Sequence, residues 1–278
     1  MTTRNADLSA LLGECLPAAE IDAALSDEQA RYLADHRDAL ASVSEVWRLM
    51  DEEWDRNGAG YAPADRAALD SFYRSPVWLL NGLFTESDAE SIAHREAIAR
   101  FVASLDPATV VDYGGGFGSL SRRLAEILPS ASVTLVEPFP TELARACSRR
   151  FANLSFAAQV TTGADVAVAQ DVLEHVTDPL ALFGELLGAL RPGGTLVTAN
   201  CFQPLIKCHY PGALHFQYTF RRIAPLLGCR FAGRVLGAPH AEIYVKTAAR
   251  PRTRIARLVE GVSRALYPLL SRIKRARS

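Results

Sequence analysis

The chain has 278 residues, is 49% apolar and 22% charged, and carries a formal net charge of −1 at pH 7. This composition indicates a soluble globular protein with ample core, and no apolar run approaches the roughly 20 residues that span a bilayer. The five cysteines, Cys15, Cys147, Cys201, Cys208 and Cys229, are scattered and form no C-x-x-C pair, which fits free thiols in a reducing compartment. Met1 to Ala10 shows no basic-then-apolar leader pattern, so a cytoplasmic protein is expected.

In chain order, a short helix is expected around Leu8 to Cys15. Ser26 and Gln29 form a capping box, followed by apolar residues at helical spacing from Ala30 through Leu33, Leu40, Val43, Trp47 and Met50 to Trp54, with a stop at Asn57-Gly58. A second helix is predicted from Pro63 to about Tyr73, then an apolar, aromatic connector over Ser75 to Phe84. A third helix, capped by Thr85 and Asp88, ends at Asp106-Pro107. Residues 1–105 therefore read as an all-helical cap or lid. From Ala108 the pattern alternates strand and helix, which predicts βαβ units and a parallel sheet. Strands are predicted at 108–113, 133–137, 154–157, 166–170 and 195–200, with helices over 119–128, 141–150 and 179–190. The stretches 231–236 and 242–246 read as a terminal hairpin.

The charge is uneven. Residues 250–278 hold nine basic side chains against Glu260 alone. An acidic body with a basic tail is not the profile of a nucleic-acid binder. In that tail Ile255, Leu258, Val259, Val262, Leu266, Leu269, Leu270 and Ile273 form one apolar stripe, which Pro268 is expected to kink or split. A basic amphipathic helix can lie on an anionic membrane; packing on the core or on a partner subunit is the reading favoured by a small margin.

One stretch organises the rest. Thr109 to Asp112 is a buried apolar strand ending in an acid, Gly114, Gly116 and Gly118 follow, and then a helix carries Leu120, Leu124, Ile127 and Leu128 on one face. Glycine allows positive φ and close backbone approach, and a helix N-terminus offers unpaired N–H groups to a ligand. The dinucleotide fingerprint requires a third glycine where Ser119 stands. The G-x-G-x-G spacing with Asp112 ahead resembles instead the first motif of class I S-adenosylmethionine-dependent methyltransferases. Three further features agree with this resemblance: Glu137 with Pro138 at the end of strand two, Gln170-Asp171-Val172-Leu173-Glu174-His175 after strand four, and Leu190-Arg191-Pro192-Gly193-Gly194 before strand five.

The resemblance implies a Rossmann-like α/β sheet, mostly parallel with an antiparallel C-terminal hairpin, over residues 106–249 behind the helical cap. It implies S-adenosylmethionine as cofactor, held by Asp112, Gly114, Gly116, Gly118, Glu137, Pro138, Gln170 and Asp171, with Arg95 on the methionine carboxylate. An acid binding ribose hydroxyls from the end of strand two follows the logic of dinucleotide folds. No acid follows strand three before Asp165, so the adenine contact is left to Gln159 or a backbone carbonyl.

The insertion 201–228 is expected to build the acceptor site. His175, His209 and His215 are candidate bases, each with a purely structural alternative, and Tyr73, Tyr210 and Phe216 are candidate acceptor contacts. Cys208, His209 and His215, with His175, match no usual zinc spacing, so no metal is expected. The expected reaction is methyl transfer, to oxygen first of all, on a small molecule or a glycan- or lipid-linked precursor. Two rivals are a nucleoside-binding regulatory protein without turnover and a nicotinamide-dependent oxidoreductase.

Overall fold

The structure is a computed structural model that describes Leu8, residues 11–12 and residues 15–275; apart from Leu8, Leu11, Leu12 and Cys15, the helix expected near the start of the chain lies outside the described residues. The helical front runs through α1 (Ala18–Ala24), α2 (Asp27–Asp35), α3 (Val43–Arg56), α4 (Arg66–Arg74), α5 (Pro76–Ser87) and α6 (Ala89–Ser104). The Ser26–Gln29 capping box is present at the start of α2. The single helix expected over Ala30 to Asn57 is broken: a 3₁₀ turn at Arg37–Ala41 separates α2 from α3, and Ser42 is extended at φ −151°. Short polar residues compete with the helix backbone at such points. Folding back lets Leu33 and Leu49 share one core.

The stretch expected as a connector at 75–84 is α5. Pro76 sits in its first turn, and Val77, Leu79, Leu80, Leu83 and Phe84 are buried. A helix apolar on every side gives no amphipathic period. Gly82 lies against the glycine loop, where an added Cβ would stand 2.5 Å from the Phe117 Cβ. The helical front is not a separate body, because its core takes in Phe117 together with Leu143, Ala144 and Cys147 of α8 (Glu142–Ser148).

The sheet holds β1 (Thr109–Tyr113), β2 (Ser132–Val136), β3 (Leu154–Ala157), β4 (Ala164–Gln170), β5 (Leu190–Ala199), β6 (Cys229–Val235) and β7 (Ala238–Lys246) in the order β3-β2-β1-β4-β5-β7-β6. The first five are parallel, and β7 runs antiparallel between β5 and β6. Helices α7 (Ser119–Ile127), α8 and α9 (Pro179–Ala189) complete the βαβ units. The terminal hairpin turns on Leu236-Gly237 alone, with Gly237 at φ +89°; Pro239 is absorbed into β7 at a register irregularity, where a missing N–H is tolerated. The carboxyl ends of β1, β2 and β4 converge on one edge, the usual place for a ligand crevice.

Helix α10 (Phe216–Ile223) lies in the insertion, and α11 (Thr253–Arg275) is a single helix that continues through Pro268. The expected split does not occur; proline removes one rung of an otherwise intact ladder. Helix α11 packs through Ala256, Glu260 and Ser263, whereas Ile255, Leu258, Val259, Val262, Leu266 and Leu269 are exposed, Leu258 to 70%. The helix thus meets the core on one side, while its apolar stripe faces away from it. Among the described residues, no helix is long and apolar enough to cross a membrane.

Candidate active site

The turn after β1 is built by backbone geometry that only glycine adopts without strain. Gly114, Gly116 and Gly118 have φ of +68°, +52° and +81°. A Cβ on Gly114 would meet Val172 at 2.7 Å, whereas one on Gly116 would meet nothing within 4 Å. Gly116 is thus the point where the loop faces open space. Gly118 is the N-cap of α7 and leaves the helix N-terminus at the same edge.

Glu137 follows β2. Its Oε2 accepts from Gly116 N–H at 3.1 Å and its Oε1 from Phe139 N–H at 3.0 Å. Burial raises its pKa, and the two N–H donors pull it back. Pro138 beside it is exposed. Asp112 is placed differently from Glu137: it is 1% exposed and accepts from Ser121 Oγ at 2.6 Å. A Cβ on Gly115 would lie 2.5 Å from its Oδ2, so its carboxylate underlies the loop. Burial pushes it up to about 6, the Ser121 hydroxyl opposes this, and the Glu137 charge adds to it.

After β4 the chain turns sharply. Asp171 has φ +53°, uncommon for any residue but glycine, and its N–H continues the ladder to Ala199 O at 2.8 Å. The Gln170 amide donates to Asp171 Oδ2 at 3.4 Å. Asp171 is exposed, yet the protein packed around its carboxylate raises its pKa by desolvation. A 3₁₀ turn, Leu173–His175, then brings in Glu174 and His175.

Glu174 is buried; its Oε1 accepts from Cys201 N–H at 2.6 Å, and its Oε2 has no partner. Burial, and after it the Asp171 charge, pushes it up to about 8. Nδ1 of His175 lies 3.2 Å from Cys208 O, and Nδ1 of His209 lies 2.5 Å from Gln203 O. The two rings meet edge-on, 4.9 Å apart. Burial pushes His175 down to about 3 and also lowers His209. Both are neutral at pH 7.

Aromatic residues of the helical front surround this corner. Trp78 meets His175 edge-on at 6.0 Å, Tyr73 lies against Trp78 at 5.2 Å, and Tyr61 meets Tyr210 at 4.8 Å. Burial raises the pKa of Tyr73, with Cys208, Glu137 and Glu174 adding to it. The hydroxyl of Tyr61 and Nε1 of Trp78 are buried without partners. A cavity of about 490 Å³ opens between α3 and the insertion, lined by Asp51, Trp54, Tyr61, Ile206, His209 and Leu214 among others. Lys207 latches its two walls: its N–H donates to Asp51 at 2.7 Å, and its Nζ pairs with Asp55.

Three sequence expectations fall elsewhere. Arg95 donates to Thr85 O at 3.0 Å and pairs with Glu86, which Arg122 and Ser119 also engage. Its guanidinium is committed to this cluster and does not stand ready for a carboxylate. His215 is buried against α11, with Nδ1 2.9 Å from Ser263 Oγ. Phe216 is buried in the core with Phe202 and Phe220. Cys208, buried in the helical core, and His215 do not join His209. Glu174, which does, was missed by the sequence reading; an acid framed by Val172, Leu173 and Val176 was the available signal.

A family model described as a methyltransferase domain matches residues 88–220. An uncharacterised methyltransferase of Mycobacterium tuberculosis (strain ATCC 25618 / H37Rv) is 29% identical over 153 residues, 52% of this chain and 71% of that protein. The trans-aconitate 2-methyltransferase of Azoarcus sp. (strain BH72) is 32% identical over 178 residues, 60% of this chain and 69% of that protein. The chain belongs to the class I S-adenosylmethionine-dependent methyltransferases. The fold of this methyltransferase is similar to two solved structures at a TM-score of 0.51. One is the 1,6-didemethyltoxoflavin-N1-methyltransferase of Burkholderia thailandensis (18% identity, 68% of this chain and 92% of that one). The other is the mitomycin 7-O-methyltransferase MmcR (19% identity, 87% and 75%).

The methyltransferase's own geometry fits its cofactor. Open space over Gly116, the α7 N-terminus and the Glu137 carboxylate supply room, N–H donors and a hydroxyl acceptor along one edge. Ser119, which stands where a dinucleotide site needs its third glycine, donates to Glu86.

Proposed function

We propose that this methyltransferase acts on an oxygen of a small molecule seated in the 490 Å³ cavity, with the Glu174–His175–His209 corner meeting the acceptor. The observation that carries this reading is His209, which lines the cavity and also packs on His175 beside the β4 turn. Bound S-adenosylmethionine supplies a methyl carbon made electrophilic by its sulfonium. The chain's residues then have a modest task. Gly114 to Gly118 and Glu137 hold the nucleoside, with Gln170, Asp171 and Pro138 beside it, while Asp112 supports the loop from beneath. Trp78, Tyr73, Tyr61 and Tyr210 exclude water and orient the acceptor. Holding two reactants in line accounts for much of such a rate acceleration. Two neutral imidazoles suit an acceptor that must lose a proton, as a hydroxyl does. The name of the Azoarcus relative states a small-molecule acceptor, which supports the class.

The test is incubation of the full chain with S-adenosylmethionine and a panel of small hydroxylated, carboxylated and aminated compounds, read by S-adenosylhomocysteine release. Oxygen acceptors should turn over, and His209→Ala should lower kcat/KM at least tenfold. Turnover of amines alone would refute the oxygen assignment. Binding of S-adenosylhomocysteine with no turnover would favour the regulatory alternative.

We also propose that α11 docks on an anionic lipid surface. Its apolar stripe is exposed from Ile255 to Leu269, and residues 250–278 carry nine basic residues, six of them in α11, against Glu260, itself paired with Arg257 and Arg264. That is the pattern of an interfacial helix, in which charge and apolar burial add. Sedimentation with phosphatidylserine vesicles should carry down the full chain but not a Leu258→Glu/Val262→Glu variant. Equal sedimentation of both, or a dimer that breaks with the same changes, would overturn it.

A further inference from the structure

The corner formed by Glu174, His175 and His209 has features that positioning alone does not require. One donor atom from each of the three side chains lies within 4.8 Å of the others. Glu174 is 1% exposed, and its Oε2 has no hydrogen-bond partner. The charge acting on it is that of Asp171, of the same sign. A buried carboxyl oxygen without a partner calls for one, and a metal ion is such a partner. Its other oxygen is fixed by Cys201 N–H at 2.6 Å, so the free oxygen is also oriented.

The two imidazoles are arranged in a matching way. Each turns Nδ1 to a backbone carbonyl, of Cys208 for His175 and of Gln203 for His209. A carbonyl only accepts, so the proton sits on Nδ1 and the lone pair on Nε2. This is how a second shell orients metal-ligating histidines. Neighbouring ligands on an ion with bonds near 2.1 Å stand roughly 3 Å apart, and the three donor atoms here lie within 4.8 Å of one another. Small side-chain adjustments bring such a set onto one ion.

Building on the acceptor reading above, we propose that Glu174, His175 and His209 bind one divalent transition-metal ion, and that this ion holds an acceptor bearing two adjacent oxygens. Two imidazoles with one carboxylate suit zinc, iron or manganese and leave coordination positions open. A catechol or an α-hydroxy acid is the acceptor chemistry that fills two such positions. Coordination favours loss of the acceptor's hydroxyl proton to solvent. The oxygen then forms the new O–C bond as the C–S bond breaks onto sulfur, leaving a methyl ether or ester and S-adenosylhomocysteine. The corner faces the cavity through His209 and adjoins the β4 turn, so a chelated oxygen would lie between the two.

The test uses the full chain after dialysis against a chelator, without acceptor. Zn²⁺ is added in a calorimeter, and Co²⁺ in parallel with visible absorption as the readout. One ion per chain should bind with micromolar or tighter affinity. Glu174→Gln and His175→Ala should each weaken it at least tenfold, with circular dichroism reporting the fold. His94→Ala should leave it unchanged; His94 and His240 form a separate ring pair 4.5 Å apart. Absence of binding by the parent, or binding lost only in His94→Ala, overturns the metal site. Metal binding is read without turnover, so the two proposals fail separately. Full activity of metal-free protein on a hydroxyl acceptor overturns the ion and keeps the acceptor. Stoichiometric binding without methylation of any oxygen acceptor does the reverse.

Discussion

Asp112 lies beneath the glycine loop and costs the fold stability at neutral pH. Its carboxyl is pushed from an ordinary 3.8 up to about 6, first by burial. A carboxyl with a raised native pKa gives the native state extra protons between those two values. Stability is therefore full below pH 3.8 and falls as pH rises through about 6, then stays level. A shift of about 2 pH units corresponds to about 3 kcal/mol. At 1% exposure the group is shielded from solvent screening. Asp112→Asn keeps an oxygen to accept from Ser121 and cannot ionise. Urea unfolding of parent and variant from pH 4 to pH 8 isolates the Asp112 contribution, since groups that do not sense its charge cancel in the difference. The variant should gain about 2 kcal/mol of that relative to the parent between pH 4 and pH 7, with almost no further change to pH 8. A pH-independent difference would refute the account of Asp112 as a desolvated acid under the loop.

Other outcomes follow from the loop and the insertion. Gly114→Ala forces a Cβ to 2.7 Å from Val172 at φ +68°, so its melting temperature should fall along with its cofactor affinity. Gly116→Ala meets only open space and should lose about 1 kcal/mol of stability to backbone strain while losing S-adenosylhomocysteine binding by calorimetry; retained affinity would show that the cofactor lies elsewhere. Phe216→Ala should cost about 3–5 kcal/mol in urea unfolding with KM unchanged in what remains folded, because the ring sits in the core.

The sheet was legible because its signals are local. Strands β1, β2 and β4 are short apolar runs closed directly by Gly114, Glu137 and Asp171. Helix α5 was not, since burial on all sides erases the period by which a helix is recognised. The break at Ser42 comes from tertiary packing that no local period encodes. In the insertion, Phe216 and Phe220 stand one helical turn apart and belong to one buried face, but the aromaticity of Phe216 suggests an acceptor contact. His175 and His209 are brought together by a crossing of chain that spacing does not reveal, and Arg95 found Glu86 nine residues away on the preceding helix.

The central claim is that the loop at 114–118 and the Glu137 carboxylate grip the adenosyl group together. Calorimetric titration of S-adenosylhomocysteine into parent and Glu137→Ala measures it directly. Loss of two charge-assisted hydrogen bonds, about 3 kcal/mol in all, predicts a Kd about a hundredfold weaker. An unchanged Kd in the variant, or a parent that does not bind at all, would contradict it.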